Sequence, residues 1–447
     1  MNVVLFIKDL RLHDHQPLVE ALQYGEVLPL YVVEPTFWSS HDLSIRHFQF
    51  VLESLEDLKA QIEKRGGKLF IFIGKIEEAL EQLSKTYGAF RLFYYEYMSI
   101  KEMVNLNTRV CQWMKKHGLP VACFPSQAYF LDIENESQYK KRWRAFMNEK
   151  MHETPVKINI PNRCPSAFQT DLRDLYNYKV QGEKIRFGLK GGETNGKETL
   201  NSYLQYFHER HQYKHLIDEI RYSSRLSPYM TWGNLSLRYV IQQVDEEMKR
   251  TDKAKLLQTF VQKIYQRCVT GYFVQGKFYD VNHEDDSHLD VLNKWIKGRT
   301  GIPIIDAIMR YVMKTGWINH QSRLVAVSFI RDLAGVSTSL IGQSFAQLLL
   351  DYDPLIQYCY IEEGKVMNPI AFSKKHDPNG EFIRRHVSEL KNVPSQYIHE
   401  PWLYPGFFKL GYPSPIVDVY QAYRKARHER LRKKQIDQHS EQLKFDL

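Results

Sequence analysis

Arg323, Asp351 and Asp353 are charged residues in strongly apolar surroundings. "QSRLVAVSFIRDL" runs from Gln321 to Leu333, and "LLLDYDPLIQY" from Leu348 to Tyr358. Arg323 precedes Asp351 by 28 residues and Asp353 follows two later. A buried guanidinium left without a partner costs several kcal/mol, so this arginine calls for a carboxylate. The two aspartates are the obvious candidates, and a purely structural ion pair satisfies the spacing as well as a functional one. A second constellation, "YSSRLSPYMTWGNLS" (222–236), sets Ser223, Ser224 and Ser227 around Arg225 just ahead of a helical run. Hydroxyls, backbone N–H groups and the positive end of a helix suit a phosphate. An N-cap beside a surface arginine explains the same residues. A third stretch, residues 295–333, interrupts apolar helical faces with Asp306, Arg310, His320 and Arg323.

The elements that must position these groups fall into three regions. Up to residue 130, short strands rich in β-branched and aromatic residues are predicted at 2–7, 27–33, 68–74, 90–97 and 120–130. Amphipathic stretches lie between them, such as 44–66, closed by Gly66 and Gly67. This alternation implies a doubly wound parallel sheet. No GxGxxG follows the first strand, which argues against a standard dinucleotide site there. Residues 131–195 are polar and basic and read as a connector with one helix near 138–150. From 196 to 447 apolar residues recur at three- and four-residue intervals, predicting an all-α region that ends in a strongly basic helix. The fold class is therefore α/β followed by all-α.

With 447 residues, 43% hydrophobic and 25% charged, the chain has the composition of a globular protein with a large core. A net charge of +9 suggests an anionic partner, nucleic acid first, with a generally basic surface as the alternative. Five scattered cysteines without CxxC or metal-ligand spacing point to reduced thiols in a cytoplasm, and no metal site is expected. The first residues lead straight into a strand, and no apolar run reaches the length of a membrane span.

Taken in order, "SSRLSPY…W", "KGRTGIP-IIDAIMR", "TGW-x4-R", "DYD" and "NP…K.HDPNGEFIRR…SEL…VPSQYIHEPW" resemble the photolyase and cryptochrome flavoprotein family. The opening "VVLFIKDLRLHDHQPL" (3–18) resembles that family's "FRRDLRLHDNPAL". The resemblance spans nearly the whole chain. It implies an α/β domain, a connector, and a helical domain holding FAD in a bent form. On the matching positions, Ser223, Ser224, Arg225, Leu226 and Ser227 would form the phosphate loop, with Tyr213 upstream. Gln262 and Arg267 would continue the pocket, and Trp317 and His320 would lie beside flavin and adenine. Arg323 and Asp351 would form the ion pair next to the ring, Asp353 would meet the flavin or ribose region, and Gln357 would sit near flavin N5. A positive field there would favour reduced anionic flavin.

The sequence departs from the family where repair chemistry is expected. The usual "ExxWRE" has Lys263 and Gln266 at its glutamate and tryptophan, with Arg267 kept and Cys268 following. Lys263 is left to donate a proton or steady a radical anion. The tryptophan that passes electrons to the flavin aligns with Ile361, and further relay positions hold Thr338 and Asp285. Tyr352, Tyr358 and Tyr360 offer either a substitute relay or packed aromatics with satisfied hydroxyls. His320 takes the place of the catalytic histidine of (6-4)-photoproduct enzymes, but the second histidine position is Leu324.

The resemblance implies a DNA photolyase, a carbon–carbon lyase driven by blue light. Excited reduced FAD donates an electron to a pyrimidine lesion flipped from the duplex. His320, Lys263, Gln357 and Trp317 are its expected catalytic residues, damaged DNA its partner, and a monomer its form. An antenna chromophore of folate or deazaflavin type is left open. The alternatives are a cryptochrome-type light sensor, which keeps FAD without repair, and a basic helical DNA-binding protein without flavin. The short stretch after the last tyrosine favours the enzyme over the sensor.

Overall fold

A computed structural model describes residues 1–97, 101–126, 128, 130, 133–207, 223–274, 288–354, 356–357, 361 and 364–445. The chain forms two compact units. The first takes in Met1–His208, Ser224–Phe278 and Leu350–Ile356, the second Glu209–Ser223, Tyr279–Leu349 and Gln357–Leu447.

The first unit is built on five parallel strands, β1 (Asn2–Phe6), β2 (Val27–Val33), β3 (Phe70–Ile73), β4 (Arg91–Glu96) and β5 (Val121–Pro125). Their order is β3-β2-β1-β4-β5, so β1 is central and the winding reverses beside it. Val3, Val4 and Leu5 are buried together although neighbours point to opposite faces. That is the signature of a strand covered by helices on both sides, which the unbroken apolar runs already carried. The last strand stops at Pro125, short of the expected 130. Among the covering helices are α1 (Gln16–Leu22), α2 (Ile45–Glu63), α3 (Ile76–Tyr87) and α4 (Lys101–Lys116). Residues 131–195 belong to this unit and carry α5 (Glu136–Asn148), capped by the Asn135 side chain accepting from Gln138 N at 3.0 Å. Four further helices of the unit are α6 (Glu193–Tyr206), the short α7 (Ser227–Thr231), α8 (Leu237–Arg250) and α9 (Ala254–Val274).

A buried polar hub lies at the carboxyl end of β1. Asp9 Oδ1 accepts from Ile7 N at 2.7 Å, and Asp9 Oδ2 lies 2.6 Å from His15 Nε2. His15 Nδ1 caps α1 by accepting from Leu18 N, which places the ring proton on Nε2, toward Asp9. Arg11 donates to the carbonyls of His13, Gly233 and Asp14. Glu193 accepts from Leu12 N at 2.6 Å and lies 3.0 Å from His13 Nδ1 and 2.6 Å from Lys197. Arg238 donates to both oxygens of Asp14, at 2.6 and 3.1 Å. Such charges survive burial only because each is paired and hydrogen-bonded. The hub fastens the loop after β1 to α6 and α8.

The second unit is helical: α10 (Leu289–Ile296), α11 (Pro303–Thr315), α12 (His320–Ser328), α13 (Thr338–Leu348), α14 (Pro369–His376), α15 (Glu381–His386) and the long basic α16 (Val419–Phe445). Helix α12 runs on into a π-helical turn, Phe329–Leu333. Trp295, Ile305, Ile308, Phe329, Ile330 and Phe345 form its core. Two of the charges noted in the sequence are internal braces of this unit and need neither Asp351 nor Asp353. Asp306 accepts from Thr300 N and Oγ1, both at 2.7 Å, and from the Tyr412 hydroxyl. Arg310 makes a two-pronged pair with Glu389 at 2.6 and 2.8 Å. No helix among the described residues is long and apolar enough to cross a membrane.

Candidate functional site

In the second unit, Gly316 in the left-handed region ends α11, and Asn319 caps α12 by accepting from Ser322 N at 2.9 Å. This fixes the orientation of a helix carrying two of the expected residues. His320, its first residue, is exposed, whereas Arg323 is buried. Three residues apart on one helix, they share a face, so that face runs from solvent to the interior. Arg323 Nη1 donates to Gln357 Oε1 at 3.4 Å, a long contact. Gln357 is only 2% exposed, and its Nε2 has no hydrogen-bond partner among the described residues. A buried amide donor left open is costly unless an acceptor arrives. Trp317 is buried beside this turn, with its backbone held by Thr315 Oγ1.

The remaining expected residues of the first unit form a second group. Arg225 sits at φ 51°, a left-handed conformation rare outside glycine and asparagine. It turns the chain so that Leu226 is buried and Ser227 opens α7. Arg267 on α9 donates from Nη2 to Thr231 Oγ1 on α7 at 2.7 Å, so this arginine and the serine loop are joined through one helix. Gln262, Lys263 and Gln266 are exposed on α9. Asp351 is buried and Asp353 half-buried. They are positioned by Leu350, whose carbonyl accepts from Trp232 Nε1 at 2.9 Å, and by Tyr352, whose hydroxyl donates to Asp42 at 2.7 Å. Tyr352 is thus a packed aromatic with a satisfied hydroxyl. Arg323 and Asp351 belong to different units, as do Ser223 and Ser224. Tyr213, Asp285, Tyr358 and Tyr360 lie outside the described residues.

At the other substituted positions, Ile361 is fully buried, and its carbonyl accepts from Arg331. Thr338 opens α13. Elsewhere in this unit, His386 at the end of α15 is half-buried, and burial together with Lys314 and Arg385 pushes its pKa down to about 4, so it is neutral near pH 7.

Sequence reasoning passed over Lys8, which lies at the carboxyl end of β1 and is 2% exposed. Its Nζ stands 5.0 Å above the Trp232 ring, and the charges acting on it are those of Asp353 and Arg267. The signal was available, since Lys8 directly follows the apolar run Val3–Ile7 at the end of a strand in an open parallel sheet. Ligands of such sheets gather at the carboxyl ends of the strands, at the switch point. A cavity of about 610 Å³ lined by Lys68, Phe70, Lys85, Arg163 and Gln169 opens at the opposite, amino end of β3.

Two family profiles match the chain: one described as DNA photolyase over residues 2–155, the other as the FAD binding domain of DNA photolyase over residues 255–432. The chain is 27% identical to Cryptochrome-2 of Gallus gallus, over 93% of its own length and 80% of the relative's. It is 25% identical to a deoxyribodipyrimidine photo-lyase of Alkalihalophilus pseudofirmus, over 95% and 97%. Among solved structures, a bacterial class III photolyase from Agrobacterium tumefaciens superimposes with a TM-score of 0.82 at 23% identity, covering 97% of this chain and 98% of that one. A Synechocystis cryptochrome does so with a TM-score of 0.80 at 22% identity, covering 96% and 98%. With a five-stranded parallel sheet, a helical unit and both profiles in register, the chain belongs to the DNA photolyase/cryptochrome family.

Proposed function

We propose that the protein is an FAD-dependent photolyase that uses blue light to reverse ultraviolet pyrimidine lesions in DNA. The observation that carries this reading is the single face of α12, with His320 in solvent and Arg323 one turn inward against the open amide of Gln357. A lesion arrives from solution while its electron donor must be kept from water, and one helix face offers a group to each.

The residues fit the cofactor in kind. The Nε2 of Gln357 is a buried donor that lacks an acceptor among the described residues, as a flavin edge would require. Arg323 supplies a buried positive charge, and in this proposal Asp351 is its carboxylate. Ser223, Ser224, Arg225, Leu226 and Ser227 hold the phosphates, with Tyr213, Gln262 and Arg267 around them and Asp353 toward the ribose. FAD, once bound and reduced, supplies the light-excited electron. For the protein, the task is to bind that group, hold Arg323 where negative charge is steadied, and exclude water behind Trp317. His320 and Lys263 stand in solvent, where they can present a proton to a flipped base. The excess of cations serves the phosphate backbone of DNA.

A second reading, a flavin light sensor without repair, is favoured by one observation. Positions 263 and 266 offer neither a carboxylic acid nor an aromatic ring, and position 361 is a buried isoleucine. The test is an absorption spectrum of the purified protein, followed by blue-light repair of DNA carrying cyclobutane dimers or (6-4) products. Flavin bands with repair of either lesion support the enzyme. Flavin bands without repair select the sensor, and a protein that neither carries nor takes up flavin overturns both.

A further inference from the structure

Lys8 is a buried cation without a matching anion in contact. It is 2% exposed, yet its ammonium makes no hydrogen bond or ion pair with any described residue, only a contact with the Trp232 ring at 5.0 Å. A cation over an aromatic face recovers part of the lost hydration, but a hydrogen-bonded partner is what normally makes such burial tolerable. The local structure holds the lysine there firmly. Gly233 lies at φ +65° with its α-carbon so close to Lys8 that an added Cβ would stand 2.0 Å from the Lys8 carbonyl oxygen. The Gly233 carbonyl is in turn gripped by Arg11 at 2.9 Å. Gly233 thus packs directly on the backbone of Lys8.

Asp353 favours the charge of Lys8 and Arg267 opposes it. Arg267 is committed to Thr231 at 2.7 Å and cannot swing away without losing that bond. Burial and the Arg267 charge hold the Lys8 pKa down to about 8 against the pull of Asp353. An anion entering beside Lys8 would relieve both penalties.

Resting on the flavin reading above, we propose that Lys8 is a binding residue of the cofactor site: its buried ammonium, without an ion-pair partner among the described residues, presents the positive charge that a dinucleotide anion completes. The chemical class is an anionic flavin dinucleotide, and the lysine acts through charge rather than by proton transfer. Lys8 is thereby distinguished from a purely structural lysine, because in the fold without ligand its charge has no hydrogen-bonded partner among the described residues to offset its burial.

The experiment compares the full-length protein with Lys8→Met and Lys8→Arg, measuring FAD affinity by flavin-fluorescence titration and thermal midpoints with and without FAD. The expected result is an FAD dissociation constant raised about tenfold or more in Lys8→Met. Its FAD-free midpoint should be unchanged or higher, and Lys8→Arg should recover most of the affinity. Unchanged affinity in Lys8→Met would overturn the inference, as would equal losses of midpoint with and without FAD. If the wild-type protein takes up no FAD, the flavin reading itself fails. If it binds FAD with indifference to Lys8, only this inference does.

Discussion

His320 and Arg323 occupy the same helix yet face opposite environments, and the effects of substituting them should differ accordingly. His320 is exposed, so His320→Ala should change folding stability by less than about 0.5 kcal/mol. If it serves as a proton donor to the lesion, repair should fall by about a hundredfold, with FAD content untouched. Repair rates under single-turnover illumination check this, and an unchanged rate would remove His320 from the chemistry. Lys8 makes a separate prediction through pH. Its folded pKa, about 8 under burial, Asp353 and Arg267, lies below the unfolded value near 10.5. The unfolded chain therefore binds more protons between those values, and stability from this group rises with pH across that window. Urea midpoints of the FAD-free protein should show this rise relative to Lys8→Met, with the two curves parallel below about pH 8. Arg323 was legible from sequence because the apolar run Leu324–Val327 follows it directly. The burial of Lys8 was less legible: its place after an apolar run was visible, but a lysine after a strand ordinarily reaches solvent, and the packing of Gly233 against it comes from 225 residues away.

The loop after β1 and the helices it grips form the element on which the first unit turns. Its charges were visible as "KDLRLHDH", but their partners Glu193, Gly233 and Arg238 lie 181, 222 and 224 residues from the groups they bind. No local period encodes such pairings, whereas the strands and the long amphipathic helices announce themselves by period alone. Removing Arg238 leaves Asp14 as a buried carboxylate with much of its compensation gone. Arg238→Met should cost about 3–5 kcal/mol of stability, read as a lowered urea midpoint. A loss under about 1 kcal/mol would mean that the hub is dispensable. The connector was less legible than the strands. The one helix expected there, near 138–150, stands at Glu136–Asn148 as α5, but the buried side of that helix is only Tyr139, Trp143 and Met147.

At the scale of the molecule, the two units carry carboxylates that respond oppositely to acid. In the first, burial raises Glu193 but the contacts with His13 and Lys197 outweigh it, so its pKa lies well below the usual range. Its contribution is present above about pH 4.5 and is lost as pH falls. In the second, burial pushes Asp306 up to about 6 despite its bonds from Tyr412 and Thr300. That contribution is full below about pH 4 and is lost as pH rises through about 6. Asp306→Asn should therefore flatten the stability profile between about pH 4 and 6, while Glu193→Gln should flatten it below about pH 4.5. Thermal midpoints across that range decide both, and a variant that parallels wild type throughout would refute its assignment. The class of fold was legible because composition, strand–helix alternation and helical period all agree. Which activity it serves was not, because the positions that bear on repair or sensing, such as 263, 266 and 361, are single residues that no period or composition marks.

The most direct test of the central claim, that Arg323 and Gln357 form a buried flavin-holding group, is the visible absorption spectrum of the purified full-length chain beside Arg323→Leu. We expect flavin bands in the wild type and their loss, or an FAD dissociation constant raised about a hundredfold, in a variant that remains folded. Equal flavin content in both proteins, or none in the wild type even after incubation with FAD, would contradict it.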